Sequence, residues 1–345
     1  MSDNRIPVTF IFNPNWWFRN FGIVFDTSFY FDKDARVNND VVMRRALHER
    51  FGLGDAGSQP RPIIGSRHVA GGFVIPALFG VQIHFAEHEA PWPVPLNLDE
   101  DAIFALEVPD IESTWPMDRL IADMDALERE FGYVVGDFDT DGILNTALHL
   151  RGQQLFMDFF ENPDLVHHLF DVLAKTIVRV VKYVKSRTGT SAVATNRSIL
   201  AVDPEIYLHS NCSVQMVSPK TFEEFLLPYE LYLAEHLSPY GIHHCGNNLH
   251  RFAEAYAKVP AVFYDVGWGS DVGACRAAFP DAFLNLRLSP VRMLQQSSAE
   301  IRRDVEEVLC AAGAPQNVGV CCINMDYGTP DENIMAILDV VAAFC

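Results

Sequence analysis

The chain has 345 residues, 49% of them hydrophobic, which is enough to bury the core of one large α/β barrel or of two smaller domains. Its formal net charge of −19 argues against nucleic acid or an anionic membrane surface as a partner, because both would be repelled. No window of the sequence approaches the roughly 18 consecutive apolar residues of a membrane-spanning helix. These totals leave a small molecule or another protein as the expected partner.

Seven cysteines are scattered through the sequence. An odd number without a regular spacing argues against a disulfide framework. The start, MSDNRIPVTFIF, lacks the basic segment and the small-residue cleavage site of a secretory signal. We therefore expect a cytoplasmic protein with reduced thiols, some of which are candidate metal ligands.

The first predicted region, residues 1–64, contains the segment NPNWWFRNFG and reads as irregular and then helical. It predicts an N-terminal extension that caps one end of a second region, residues 65–345. The two regions together are expected to form a single domain.

From residue 132 onward, short apolar runs alternate with amphipathic stretches of helical period, which predicts βαβ units and a parallel sheet. Capping signals predict helix starts at Ser218-Pro219, at Ser297 with Glu300 and at Thr329-Pro330. The number of units and the lack of a Gly-rich phosphate turn favour closure as a (β/α)8 TIM barrel. The predicted strands are GYVVGDF (132–138), SAVAT (191–195), GIHHC (241–245), AVFYDVG (261–267), AFLNLRL (282–288) and NVGVCC (317–322).

Polar residues near the ends of these strands are candidates for an active site, because barrel enzymes carry their sites at the C-terminal ends of the strands. Asp137 and Asp139 are candidate acids or bases, although a solvated loop that caps the next helix would use the same residues. His209 is a further catalytic candidate. Asn211 and Asp265 are candidates for contact with a substrate.

The segment GIHHCGNN places His243 and Cys245 on one face of a predicted strand, because side chains alternate along a strand. An imidazole and a thiolate at this spacing can reach one cation. The last predicted strand ends in Cys321 and Cys322, which could supply a third ligand across the mouth of a barrel. One histidine and two cysteines, with a fourth position open, are typical of catalytic zinc.

Other cysteines give weaker signals, and an isolated H-x-C is also common as ordinary packing. Cys212, just ahead of a capped helix, is a weaker additional candidate for the metal. A packing role in or beside helices is expected for Cys275, Cys310 and Cys345.

Four segments resemble the uroporphyrinogen decarboxylase superfamily. They are GYVVGDFDTDGILNTALHLRGQQLFMDFFENPDLVHHLFD, HSNCSVQMVSPKTFEEFLLPYELYL, HHCG and GTPDENI. The likeness covers about residues 65 to 345 in collinear order. It implies a single (β/α) barrel with an N-terminal extension.

Two branches of that superfamily differ at the site. Decarboxylases carry an Arg-rich segment near the N-terminus, where this chain has NPNWWFRNFG with only Arg19 nearby. Cobamide-dependent methyltransferases carry an H-x-C…C zinc signature and a T-P-x-E-N helix start, which His243, Cys245 and residues 329–333 match. Cys322 is favoured as the last ligand, but neither it nor Cys321 has the usual spacing to the threonine.

The resemblance to the methyltransferase branch implies a zinc enzyme that moves a methyl group between a small methylated substrate and the cobalt of a partner corrinoid protein. O-demethylation of a methyl ether is the favoured direction, with Trp16 and Trp17 as contacts to an aryl ring. The same aromatic residues also fit plain packing. Two alternatives stay open: a metal-free decarboxylase, and a non-enzymatic partner of a corrinoid protein.

Overall fold

A computed structural model describes residues 6–56, 59–190, 198–313 and 316–344. The N-terminal part has one strand and three helices, and Asn13 and Asp32 cap two of these helices with their side chains. These elements are β1 (Val8–Phe12), α1 (Pro14–Phe21), α2 (Thr27–Phe31) and α3 (Lys33–Phe51).

The middle of the chain is mainly helical, and its strands are short. Its elements are β2 (Ile63–Ile64), α4 (Val74–Leu78), β3 (Gln82–His84), β4 (Trp92–Val94), α5 (Glu100–Phe104), α6 (Met117–Phe131), β5 (Val135–Gly136), α7 (Ile143–Arg151), α8 (Leu155–Glu161) and α9 (Pro163–Thr188).

The C-terminal part alternates strands with helices. Ser218 caps the first of these helices, and Ser297 with Glu300 forms the predicted capping box. The elements are β6 (Tyr207–Asn211), α10 (Pro219–Thr221), α11 (Leu227–His236), β7 (Tyr240–His244), α12 (Leu249–Tyr256), β8 (Ala261–Val266), α13 (Val272–Ala278), β9 (Phe283–Leu288), α14 (Pro290–Gln295), α15 (Ser298–Ala312), β10 (Val318–Met325) and α16 (Asp331–Phe344).

Six strands form one parallel sheet in the order β1-β10-β9-β8-β7-β6. β2 and β5 form a separate parallel pair, and β3 and β4 an antiparallel one. The prediction of a parallel α/β fold is confirmed, whereas the strand pairs among the described residues do not complete an eight-stranded ring. The predicted strand 191–195 lies outside the described residues.

The first strand of the predicted N-terminal extension belongs to the main sheet. β1 lies inside residues 1–64, yet it pairs in parallel with β10 and forms an edge of the main sheet. Its sequence, VTFIF, is apolar and rich in β-branched and aromatic residues, as a buried parallel strand should be. The predicted boundary at residue 65 therefore separates β1 from the other strands of the main sheet.

The two faces of the main sheet have different surroundings. We call the face that carries Leu208, Phe263 and Phe283 the inner face, and these side chains form a small apolar cluster of their own. The outer face, with residues such as Ile242 and Tyr264, joins the large core formed with the helices. No helix in the described part of the chain is both long enough and apolar enough to cross a membrane.

Candidate metal centre

Three side chains meet at the C-terminal ends of two neighbouring strands, β6 and β7. Ser210 of β6 lies beside His243 of β7, so Cys212 and Cys245, each two residues further along, follow on the same inner face. The ligand atoms of Cys212, His243 and Cys245 all lie within 4.8 Å of one another. A single cation can be reached by all three.

The imidazole of His243 is held in one orientation by a neighbouring carboxylate, that of Asp265. Its Nδ1 lies 2.6 Å from Oδ2 of Asp265, and Oδ1 of Asp265 accepts a 2.6 Å hydrogen bond from Asn285. The ring is fully buried, and it also forms a hydrogen bond with the side chain of Cys245. A histidine held through one ring nitrogen by a carboxylate is the usual arrangement at metal sites.

Charges in the cluster favour a thiolate. A hydrogen bond from the Cys212 thiol, opposed by burial but aided by His243, lowers the pKa of Cys245 to about 2. The same hydrogen bond, together with burial, raises the pKa of Cys212 well above its usual value. Burial alone would lower the pKa of His243, but hydrogen bonds with Asp265 and Cys245 outweigh it and raise that pKa to about 9. A divalent cation would compete with protons for the same three groups.

Glycines shape the loops that carry the cluster. A side chain on Gly267, which follows β8, would collide with the backbone carbonyl of Gly246 in the turn after Cys245. A side chain on Gly142 would collide with the carbonyl of Ser210, just before Cys212. Glycine is therefore needed at both places for the backbones to approach.

A cavity of about 310 Å³ opens beside Cys212. Asp139, Asp141 and His149 contribute the charged and titratable part of its lining. Asp141 accepts a hydrogen bond from Asn145, and one of its oxygens lies 3.7 Å from Nε2 of His149. The predicted acid or base Asp139 therefore lies next to the cluster.

The other predicted acid, Asp137, has a different place. It is 1% exposed and does not line the cavity at Cys212. It instead lines a smaller cavity, together with Tyr30 and Phe138.

The structure places Cys322 and Cys321, the predicted candidates for the third ligand, away from His243 and Cys245. Cys322 is on the outer face, where its thiol lies 3.6 Å from the carbonyl oxygen of Leu288. Cys321 is on the inner face, but its sulfur accepts a hydrogen bond from Asn285 and lies outside the cluster. β8 and β9 separate β10 from β7, whereas β6 adjoins β7 directly, so the cysteine that lies beside His243 and Cys245 is Cys212.

The structure places the predicted site residues His209 and Asn211 on the outer face of β6. Asn211 donates a 2.6 Å hydrogen bond to Oε1 of Glu230, and Nδ1 of His209 lies 3.0 Å from the hydroxyl of Tyr207. Both are almost completely buried. Neither reaches the cavity beside Cys212, so a catalytic role for His209 and a substrate contact for Asn211 do not follow.

The three further predicted substrate contacts are buried. Asp265 is fully buried and orients His243. Trp16 and Trp17 are fully buried as well, and they pack against each other and against Phe12. This packing agrees with the alternative given for the tryptophans, and their contact with a substrate stays a prediction.

The sequence matches the uroporphyrinogen decarboxylase (URO-D) family over residues 70–344, and the chain belongs to this family. No curated protein matches the sequence closely enough to count as a relative. The resemblance drawn from the sequence motifs is confirmed at the level of the family.

Two solved structures are similar over nearly their whole length. A methyltransferase from Methanosarcina mazei is 14% identical, with a TM-score of 0.67, and the match covers 100% of this chain and 95% of that one. A B12-independent methionine synthase from Shewanella sp. W3-18-1, in complex with selenomethionine, is 9% identical, with a TM-score of 0.48 and coverage of 98% and 95%. The likeness to the first structure concerns the fold.

Proposed function

We propose that this protein is a zinc-dependent methyltransferase that moves a methyl group between a small substrate and the cobalt of a partner corrinoid protein. One observation carries the proposal: the imidazole of His243 lies with the sulfurs of Cys212 and Cys245 in one cluster, with all ligand atoms within 4.8 Å of one another. One nitrogen and two sulfurs are the ligands that zinc prefers in proteins. The family and the fold shared with a methyltransferase agree with this chemistry.

The residues of the cluster fit a zinc ion of the catalytic kind. Two thiolates, from Cys212 and Cys245, balance the charge of a divalent cation, and three protein ligands leave a fourth position for a substrate. Zinc bound there would act as a Lewis acid toward the heteroatom that gives or receives the methyl group.

The surrounding residues orient the ligands and the substrate. Asp265 holds Nδ1 of His243, which keeps Nε2 directed at the cluster. Asp139 lines the cavity beside Cys212, where its carboxylate can orient the substrate or exchange a proton with the departing heteroatom. The buried apolar cluster below, with Leu208 and Phe263, keeps water away from the inner face.

The finer features of this function rest on the sequence resemblance. We keep methyl ethers as the donor class to test first, although the buried Trp16 and Trp17 no longer support an aryl-binding cap. We also propose a closed barrel and a location in the cytoplasm.

Metal analysis tests the proposed function directly. We expect stoichiometric zinc in protein purified under reducing conditions, and methylation of cob(I)alamin by a donor among methoxylated aromatics, methanol, methylamines and methyl thiols. Zinc binding should be weakened by more than about 100-fold in each of the variants His243→Ala, Cys245→Ser and Cys212→Ser. Replacing a residue that only orients a metal ligand typically weakens binding by about 10–100-fold. Cys322→Ser is the matched control and should keep its zinc.

Other results would redirect the proposal. Loss of zinc in Cys322→Ser but not in Cys212→Ser would move the centre to β10. Protein without zinc would favour a metal-free decarboxylase. Stoichiometric zinc without methyl transfer would favour a non-enzymatic partner of a corrinoid protein.

A further inference from the structure

A buried arginine lies beside the candidate metal centre. Arg287 is on the inner face of β9, opposite Cys321 in the register with β10, and only 9% of its surface is exposed. Its Nη1 donates a long hydrogen bond of 3.5 Å to the carbonyl oxygen of Cys245. Its Nε is buried without a hydrogen-bond partner in the described ranges, while the guanidinium also forms a hydrogen bond with the side chain of Cys245. The side-chain partner of the guanidinium is therefore a proposed zinc ligand, and Nε remains available.

The other buried arginines of the described chain all have a carboxylate partner. Arg36 pairs with Asp123 and also donates to two backbone carbonyls, of Ile63 and Tyr30. The two remaining cases are Arg44, which pairs with Asp40 and Asp55, and Arg151, which binds Asp158 through two nitrogens. Burying a guanidinium is costly unless its charge and its N–H groups are matched, so Arg287 is the exception that needs an explanation.

The anionic groups closest to Arg287 are already engaged. Both oxygens of Asp265 have partners, His243 on one side and Asn285 on the other. If the proposed function holds, the thiolate of Cys245 balances the metal ion, which leaves the charge of Arg287 without a counterpart. A ligand with an anionic group would supply that counterpart.

We propose that Arg287 binds the carboxylate of a small acid whose methylated heteroatom faces Cys212, His243 and Cys245. The fork of a guanidinium matches the two oxygens of a carboxylate, and this pairing gives both affinity and orientation. The unmatched charge of Arg287 and the position of the reacting heteroatom both rest on the proposed function. Methylated acids would then be preferred over the corresponding neutral compounds.

Calorimetry with matched probes tests this inference. The acids 4-methoxybenzoate and methoxyacetate are compared with 4-methoxybenzyl alcohol and 2-methoxyethanol, and 4-methoxybenzenesulfonate tests whether a sulfonate serves as well. We expect at least one acid to bind wild-type protein about 30-fold more tightly than its alcohol, in line with hydrogen bonds to charged groups. Arg287→Met should remove this preference, Arg287→Lys should keep part of it, and the surface variant Arg292→Met should keep all of it.

The inference would be overturned if neither acid binds more tightly than its alcohol, or if the sulfonate is clearly preferred over the carboxylate. It would also be overturned if Arg287→Met is folded by circular dichroism and still prefers the acids. If Arg287→Met does not fold, Arg287→Lys tests the inference instead. A preference for acids as strong as that of the wild-type protein in Arg287→Lys would show that the guanidinium fork is not needed. Zinc content is measured on the same samples. Protein that prefers acids but contains no zinc would refute the metal centre alone. Protein that contains zinc but does not prefer acids would refute the role of Arg287 alone.

Discussion

The inner and outer faces of β6 and β7 both bury polar side chains, but they differ in which groups meet there. On the outer face, Glu230 of α11 accepts 2.6 Å hydrogen bonds from Asn211 and from Tyr240, one on each carboxylate oxygen. On the inner face, the ligand atoms of Cys212, His243 and Cys245 lie within 4.8 Å of one another.

This difference separates a structural role from a ligand-binding one. The hydrogen bonds of Glu230 join two strands to the helix that covers them and offset the cost of burying its carboxylate. One imidazole and two thiols brought together in a buried cluster are instead a set of ligands for a metal ion. Mutations on the outer face should therefore change stability, and mutations on the inner face should change zinc binding.

Glu230→Ala should give the largest effect. It leaves the amide of Asn211 and the hydroxyl of Tyr240 buried without their acceptor, and we expect the free energy of unfolding to fall by about 3–5 kcal/mol. Urea unfolding measures the change, with the exposed Glu235→Ala as control. If Glu230→Ala keeps wild-type stability but loses zinc, the division of roles between the two faces is reversed.

Asp265→Asn should weaken zinc binding by about 10–100-fold, because the neutral amide orients His243 less firmly and makes its ring less basic. Competition with a chelator measures the zinc affinity, and the exposed Asp281→Asn serves as control. An unchanged affinity would mean that His243 is not a ligand or that its orientation is fixed by packing alone.

Tyr256→Phe should give the smallest effect. Its hydroxyl lies 3.0 Å from Nδ1 of His244 and 3.4 Å from the amide nitrogen of Asn211, both on the outer face. Removing it should cost about 1 kcal/mol in unfolding experiments and leave zinc binding unchanged. The exposed Tyr327→Phe is the control, and a loss of zinc in Tyr256→Phe would show that the two faces are coupled.

Much of the parallel sheet was predictable, because its strands are short apolar runs between capped helices. β7 through β10 appear close to their predicted ranges, and the Ser297 capping box is present. The sequence pattern did not predict β6, because YLHSN is too polar to resemble a buried apolar strand. Yet Leu208, Ser210 and Cys212 alternate on one face, which is the signal that would have placed Cys212 beside His243.

The sequence by itself determined that His243 and Cys245 share a face, because side chains alternate along any strand. It also determined the family, through motifs spread over most of the chain. Only the tertiary structure decided which further cysteine joins them. That choice depends on which strand lies next to β7, and the sheet places Cys212 on the adjacent strand while β10 is separated from β7 by two others.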